Sequence, residues 1–254
     1  MTDSTVPPRL TRLDFHGPLS DRRAARIVER LARTGPRTVL DIGCGWGELM
    51  LRLLAAVPEA RGVGLDVKEE DLARGRANAR QRGLAERVEF VAESAVGTAR
   101  GRADVVLCLS ASHALSEAEP PEHTAVALKE LHALVNPGGR VLLAEGFWER
   151  PPTDEELGHM WPGASAAELH DLAGLTDLAV AAGFRTSWIE TASPEEWEEF
   201  ESGYQSDVEE WLAAHPGHPL AEETRARLDG HRSSWLRGYR GVMGIAYLTL
   251  VPMN

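Results

Sequence analysis

The chain has 254 residues, 43% hydrophobic and 26% charged, a composition that fills the core of one large domain. Lys and Arg number 27 against 39 Asp and Glu, and the formal net charge of -12 argues against general affinity for nucleic acid or an anionic membrane. Cys44 and Cys108 give neither metal-ligand spacing nor a disulfide framework, residues 1–15 hold no apolar signal core, and no apolar run reaches about 18 residues, so a soluble cytoplasmic protein is expected.

Residues 19–33 read as a helix: Ser20 caps it, Ala24, Ile27, Val28 and Leu31 form one apolar stripe, and Gly35-Pro36 ends it. A strand over 38–42 follows, then a helix after Trp46 carrying Leu49, Leu53, Leu54 and Val57 at helical spacing. Next come a strand over 62–65 ending at Asp66, a helix over 69–82 and a strand over 88–91. The strand over 104–109 is a continuous apolar run, suited to a sheet buried on both faces. A helix over 122–134 leads to the turn Asn136-Pro137-Gly138-Gly139 and a strand over 140–144 ending at Glu145. A helix over 166–182 and a strand over 185–190 complete the alternation, which predicts a parallel, doubly wound α/β sheet with right-handed crossovers.

The last strand, 244–251, comes only after a long detour. Two helices between Pro194 and Arg237 are separated by His215-Pro216-Gly217-His218-Pro219, and the first carries Trp197, Phe200, Tyr204, Val208 and Trp211 on one face. These helices are expected to be an insertion, a lid over residues 194–238, within a single domain spanning 1–254. Residues 1–34 are expected to form an N-terminal helical cover.

The run Val39-Leu40-Asp41-Ile42-Gly43-Cys44-Gly45-Trp46-Gly47 is the most informative stretch. An apolar strand reaches an aspartate and breaks into glycines at alternate positions, which lets the backbone turn sharply and approach a ligand closely. A carboxylate at Asp41 repels the pyrophosphate of a dinucleotide but suits the ammonium group of S-adenosylmethionine. The bland reading makes Asp41 a helix cap and Asp66 the start of a turn.

Asp41-Ile42-Gly43-Cys44-Gly45-Trp46-Gly47 resembles motif I of the class I S-adenosylmethionine-dependent methyltransferases. Val63-Gly64-Leu65-Asp66 is similar to their second motif, and Asn136-Pro137-Gly138-Gly139-Arg140 to the turn that starts their fifth strand. The resemblance implies a mostly parallel, Rossmann-like sheet of order 3-2-1-4-5-7-6 with the seventh strand antiparallel, and S-adenosylmethionine as cofactor, leaving S-adenosylhomocysteine as product. It implies that Gly43, Cys44 and Gly45 approach the cofactor's amino-acid part, with Asp41 serving its ammonium directly or through water. Asp66 would take both ribose hydroxyls, Val67 would pack on adenine, and Leu109 and Ser110 would line the methionine portion. Where the family usually has an aspartate for the adenine amino group, this chain has Glu93-Ser94-Ala95, so either Glu93 or Ser94 takes that contact.

Methyl transfer is an in-line displacement that chiefly needs alignment, with a base only if the acceptor must lose a proton. Strand four ends Leu109-Ser110-Ala111-Ser112-His113-Ala114, without the Asn/Asp-Pro-Pro-Tyr/Phe run of amino-methylating DNA enzymes, the Pro-Cys pair used on pyrimidines, or an acidic cluster for magnesium. The expected partner is therefore a small-molecule or small-peptide acceptor, with no metal, no nucleic acid and no membrane, bound by a monomer or homodimer. His113 and Glu145 are the candidate catalytic residues, the first because imidazole titrates near neutrality. His16, Trp148, Tyr204 and Trp235 are the candidate substrate contacts, although core packing accounts for the aromatic stripe without any function. Glu145-Gly146-Phe147-Trp148, Pro151-Pro152-Thr153-Asp154-Glu155-Glu156 and the tryptophan-rich insertion resemble a little-characterised bacterial small-molecule methyltransferase group. Two rival readings are a cofactor-binding protein without methyl transfer and, against Asp41 and the glycine spacing, an NAD-dependent oxidoreductase.

Overall fold

Seven strands form one sheet in the order β3-β2-β1-β4-β5-β7-β6 in a computed structural model that describes residues 6–253. Residues 1–5 of the expected cover lie outside the described residues. The parallel half is built from β1 (Thr38–Ile42), β2 (Arg61–Asp66), β3 (Val88–Ala92), β4 (Ala103–Leu109) and β5 (Val135–Trp148). β6 (Phe184–Thr191) and β7 (Met243–Pro252) finish it, with β7 antiparallel to both neighbours. The chain enters β7 from the insertion, at the edge where β5 and β6 end, so it can only run back across the sheet.

Alternation sorts each strand's side chains between the two faces. Val105 and Leu107 of β4 join Val39, Leu142 and Tyr247 on the face covered by α1 (Asp21–Ala32), α2 (Glu48–Ala56) and α3 (Glu69–Gln81). Val106 and Cys108 join Leu40, Ile42, Leu143 and Leu248 on the face covered by α4 (Glu122–Leu134) and α6 (Leu172–Ala181). All four β4 residues are fully buried, as the unbroken apolar run predicts.

Three elements differ from the sequence expectation. β5 runs well past Ala144, because β7 pairs with it from Val141↔Leu250 to Trp148↔Met243. That partner lies about a hundred residues downstream and leaves no local signal. The helix expected over 166–182 begins only at Leu172: Asp171 caps it, its Oδ1 accepting the Gly174 N–H at 2.7 Å. Its expected first residues instead run beside Trp148, whose backbone N–H donates to His170 O at 2.8 Å and whose indole N–H donates to Ala166 O at 3.0 Å. A short helix, α5 (Asp154–His159), stands in the proline-rich loop, started by a Thr153–Glu156 capping box.

The insertion is α7 (Pro194–Ala214), α8 (Ala221–Ser233) and a π-helical turn over Ser234–Tyr239. The aromatic stripe of α7 is shared among three clusters. Trp197 packs with Tyr239 and Trp235, Phe200 and Tyr204 pack with Leu10, Leu13 and Trp46, and Val208 and Trp211 pack with Leu228 of α8. An ion pair fastens α7 to α1: Arg23 Nη2 donates to Glu196 Oε2 at 2.7 Å and Arg23 Nε to Glu196 Oε1 at 2.9 Å. Burial raises the Glu196 carboxyl, but hydrogen bonds from Arg23, Ser20 and Ser193 outweigh it and hold the group down at about 2.

Candidate active site

The ends of β1, β2 and β4 open into a two-chambered cleft. The larger chamber, about 1020 Å³ and open to solvent, is lined by Asp66, Val67, Glu93, Ser94, Ala95 and His113 among others. The smaller, about 530 Å³, reaches inward past Asp41, Phe15, Leu19, Ala144 and Tyr247. His16, Gly43, Leu109 and Ser110 line both chambers and mark their junction.

The glycine turn forms the floor. Gly43, Gly45 and Gly47 all have positive φ, between 53° and 65°, a conformation side chains resist. A Cβ on Gly43 would lie 2.5 Å from Ala111 Cβ, and one on Gly45 would lie 2.7 Å from the His16 ring. Cys44 turns its thiol away, against Gly64, so its backbone and not its sulfur follows the cleft.

Asp41 is 3% exposed, and no described basic side chain pairs with it. Burial, with Asp66 nearby, pushes its carboxyl up to about 8. Such a group lacks a counter-charge, and a ligand ammonium supplies one. Asp66 is held by two backbone amides, Gly45 N–H to Oδ2 at 2.8 Å and Lys68 N–H to Oδ1 at 2.9 Å. Each carboxylate oxygen keeps a further lone pair for a hydroxyl. Val67 beside it is 72% exposed, an apolar face offered to the cleft. Glu93 receives Arg100 Nε at 2.9 Å and Nη2 at 2.6 Å, and Ser94 Oγ accepts the Val96 N–H at 3.2 Å, yet both line the larger chamber. These residues fit an adenosyl group carrying a ribose diol and an ammonium.

The bent segment of residues 14–19 runs along the cleft, contributing Asp14, Phe15, His16, Gly17 and Leu19 to the lining of the inner chamber. Trp46, in the glycine turn, donates its indole N–H to Asp14 O at 2.6 Å and stacks with His16 at 3.8 Å between ring centroids. Arg74 lies over the Trp46 ring and donates to Leu10 O and Leu13 O at 3.0 and 2.7 Å. Arg9 grips Asp71, and α7 holds the segment's outer side, with the Thr11 hydroxyl donating to Asp207 Oδ2 at 2.5 Å. His16 Nε2 lies 3.7 Å from Asp71 Oδ2, and burial holds the imidazole well below its ordinary value.

The proposed catalytic pair is not brought together at the junction. His113 is exposed and lines the larger chamber, beside Ala114 and the Glu93–Ser94 side. Glu145 projects to the opposite face of the sheet from Ala144, lines neither chamber, and is 7% exposed. Burial pushes its carboxyl up to about 7 against a hydrogen bond from Ser112, and its Oε2 has no partner among the described residues. The strand alternation that sends Ala144 into the cleft sends Glu145 out of it.

Three of the four expected substrate contacts also lie elsewhere. Trp148 is 5% exposed in the cluster with Met160, Tyr239 and Val242 and lines neither chamber of the cleft. Tyr204 stacks on His231 at 4.1 Å and likewise lines neither chamber. Trp235 lines a separate cavity beyond β5. His16 alone of the four lies in the cleft. Phe15, Leu19 and Tyr247 are cleft residues without a sequence motif. Tyr247 is there because its register opposite Ala144 puts it on the cleft face, where its hydroxyl donates to Pro18 O at 3.0 Å.

The profile of a family described as "Methyltransferase domain" matches residues 40–141, from the glycine-turn strand to β5. A protein of Escherichia coli strain K12, YjhP, described as uncharacterized, is 30% identical over 218 residues, covering 85% of this chain and 84% of its own. The chain belongs to the class I S-adenosylmethionine-dependent methyltransferases. The X-ray structure of YjhP superposes on this methyltransferase with a TM-score of 0.81 at 25% identity, covering 96% of this chain and all of that one. The fold is equally similar, with a TM-score of 0.81 at 23% identity, to a methyltransferase of Geobacter sulfurreducens solved in complex with S-adenosyl-L-homocysteine, with 96% and 98% covered. A trans-aconitate 2-methyltransferase of Methylobacterium radiotolerans is 27% identical over 218 residues, covering 86% of this chain and 75% of that protein. The family's cofactor is S-adenosylmethionine, in keeping with Asp41, Gly43 and Asp66 as placed above.

Proposed function

We propose that this methyltransferase transfers its methyl group to a small-molecule acceptor held in the inner chamber, by direct in-line displacement and without a metal. The observation that carries this reading is the buried, uncompensated carboxylate of Asp41 in the inner chamber, two residues from Gly43 at the junction. A ligand ammonium neutralises Asp41, which places the amino-acid part of the cofactor at the junction. Asp66 holds the ribose diol, Val67 the adenine face, and Glu93 or Ser94 the adenine amino group. The cofactor supplies an activated methyl group bearing on the inner chamber. The chain's residues then need only bind, align and keep water out.

The inner chamber sets the kind of acceptor. Phe15, Leu19, Ala144 and Tyr247 give it apolar walls, Asp14, Asp41 and Glu48 are its charged lining, and no Lys or Arg lines it. With Asp14 and Glu48 paired to Arg52 and Arg82, and Asp41 taken by the cofactor ammonium, the chamber suits an uncharged acceptor and offers no free cation to a polycarboxylate, so the substrate in the name of the trans-aconitate relative is not carried over. His16 lines the junction, and its depressed imidazole is neutral at pH 7 and a weak base there, suited to accept a hydrogen bond from an acceptor hydroxyl or amine. His113, on the adenosyl side, is assigned to cofactor contact, and Glu145 to holding the Ser112 turn. Among the described residues no group of three or more His, Cys, Asp or Glu is arranged to hold a metal, and no helix is long and apolar enough to cross a membrane.

The test is incubation with S-adenosylmethionine and panels of amines, phenols, alcohols and carboxylic acids, read by mass spectrometry for a methylated product. Turnover on an uncharged acceptor is expected. Tight S-adenosylhomocysteine binding with no product from any panel would favour the cofactor-binding rival.

A further inference from the structure

Along the same sheet edge, beyond the ends of β5 and β6, lies a second cavity of about 620 Å³ that shares no lining residue with the cleft. Its walls include Trp197 from the first turn of α7 and Trp235 and Tyr239 from the π-helical turn after α8. Trp197 and Tyr239 stand at 50° with ring centroids 5.8 Å apart, forming two walls of a corner. The Tyr239 hydroxyl is committed elsewhere, donating to Glu201 Oε1 at 2.7 Å, so its ring is what it contributes. Two carboxylates line the cavity as well. Glu198 is paired with Arg240 at 2.7 Å, whereas Glu149 has no basic partner within ion-pair distance among the described residues. The charged lining is therefore one unit negative.

An anion is poorly suited to this place. The start of α7 borders it, but Pro194 has no N–H, the capping box takes the Ser193 and Glu196 amides, and Arg240 is already neutralised by Glu198. Aromatic faces with a nearby carboxylate instead attract a weakly hydrated cation, because the negative ring faces replace its loosely held water. A primary ammonium is a poorer match, since Glu149 can take some of its donors but the ring faces offer the others no conventional acceptor.

We propose that this cavity binds a small organic cation of the methylated-ammonium class, in a site distinct from the methyl-transfer cleft. The proposal is independent of the acceptor assigned above. The full chain is titrated with choline at low salt, followed by tryptophan fluorescence and calorimetry, alongside its neutral isostere 3,3-dimethylbutan-1-ol. Saturable choline binding is expected, with the isostere roughly tenfold weaker. Trp235→Ala and Glu149→Gln should each weaken choline about tenfold while leaving S-adenosylhomocysteine affinity within about twofold. Trp235→Phe, which keeps a ring in place, should retain most of the choline affinity and guards against a folding defect. Absence of saturable choline binding, equal binding of the isostere, or indifference to Trp235→Ala and Glu149→Gln would each overturn the site. Choline binding without S-adenosylhomocysteine binding would leave this inference standing and remove the methyl-transfer reading instead.

Discussion

Replacing Asp41 by Asn separates two roles that the buried carboxylate plays. In the free protein burial raises its pKa from 3.8 to about 8, so at pH 7 most molecules carry it protonated. Only the ionised form offers a counter-charge to a ligand ammonium. The apparent dissociation constant for S-adenosylhomocysteine should therefore rise as pH falls, by about tenfold at pH 7 relative to the fully ionised limit. Between pH 8 and pH 6 the expected loss is about fiftyfold. Calorimetry in buffers of different ionisation enthalpy should find nearly one proton released on binding at pH 7. Asp41→Asn removes a charge-assisted hydrogen bond, weakening binding about ten- to hundredfold at pH 8, and it abolishes the pH slope. The sign for stability is opposite. A carboxyl whose folded pKa is raised makes the folded state hold the extra proton between pH 3.8 and about 8, so stability falls as pH climbs through that window. At about 1.4 kcal/mol per unit, relieving this at pH 7 stabilises the ligand-free variant by at most about 4 kcal/mol. Thermal melts should show a higher midpoint with weaker ligand binding. A wild-type affinity flat from pH 6 to 8, or an unchanged slope in Asp41→Asn, would refute the reasoning.

Asp66→Ala removes the acceptor of two ribose hydroxyls and frees the Gly45 and Lys68 amides it holds; S-adenosylhomocysteine affinity should fall at least about thirtyfold in calorimetry. Arg23→Ala leaves Glu196 buried without its partner and should cost about 3–5 kcal/mol, seen as a melting midpoint lowered by roughly 10 °C. Glu196, depressed from 4.5 to about 2, stabilises the fold fully above its ordinary value and loses that effect as pH falls toward 2, so the wild-type and Arg23→Ala midpoints should converge in acid. Trp46→Phe keeps the packing but loses the bond to Asp14 O; about 1 kcal/mol of stability and faster amide exchange over residues 10–19 are expected. Once an acceptor is in hand, His16→Ala should lower turnover more than His113→Ala, and the reverse order would return the proton-accepting role to His113.

The residues proposed to bind the cofactor are legible in the sequence because they are local. A strand, an aspartate and glycines at 43, 45 and 47 must turn together, since positive φ and close approach to Ala111 demand glycine at fixed spacing. The second aspartate ends its strand for the same kind of reason. The order of elements and the apolar run of β4 likewise dictate a doubly wound sheet. Glu145 and Trp148 show where this stops. Both follow a strand in the sequence and look like site residues, but the register with β7 extends β5 beneath them and alternation turns Glu145 to the far face.

Sequence alone therefore determined the fold class and the local geometry of the proposed donor site, which comes from short segments obeying backbone rules. Only the tertiary structure decided what lines the inner chamber: Phe15, His16 and Leu19 from a segment pinned by Trp46 and Arg74, and Tyr247 from a strand about two hundred residues later. It also seated the tryptophan-rich insertion against the N-terminal segment, where Phe200 and Tyr204 pack on Leu10 and Leu13. Apolar side chains state that they will be buried, not against what; that partner is chosen by packing between segments far apart in the chain.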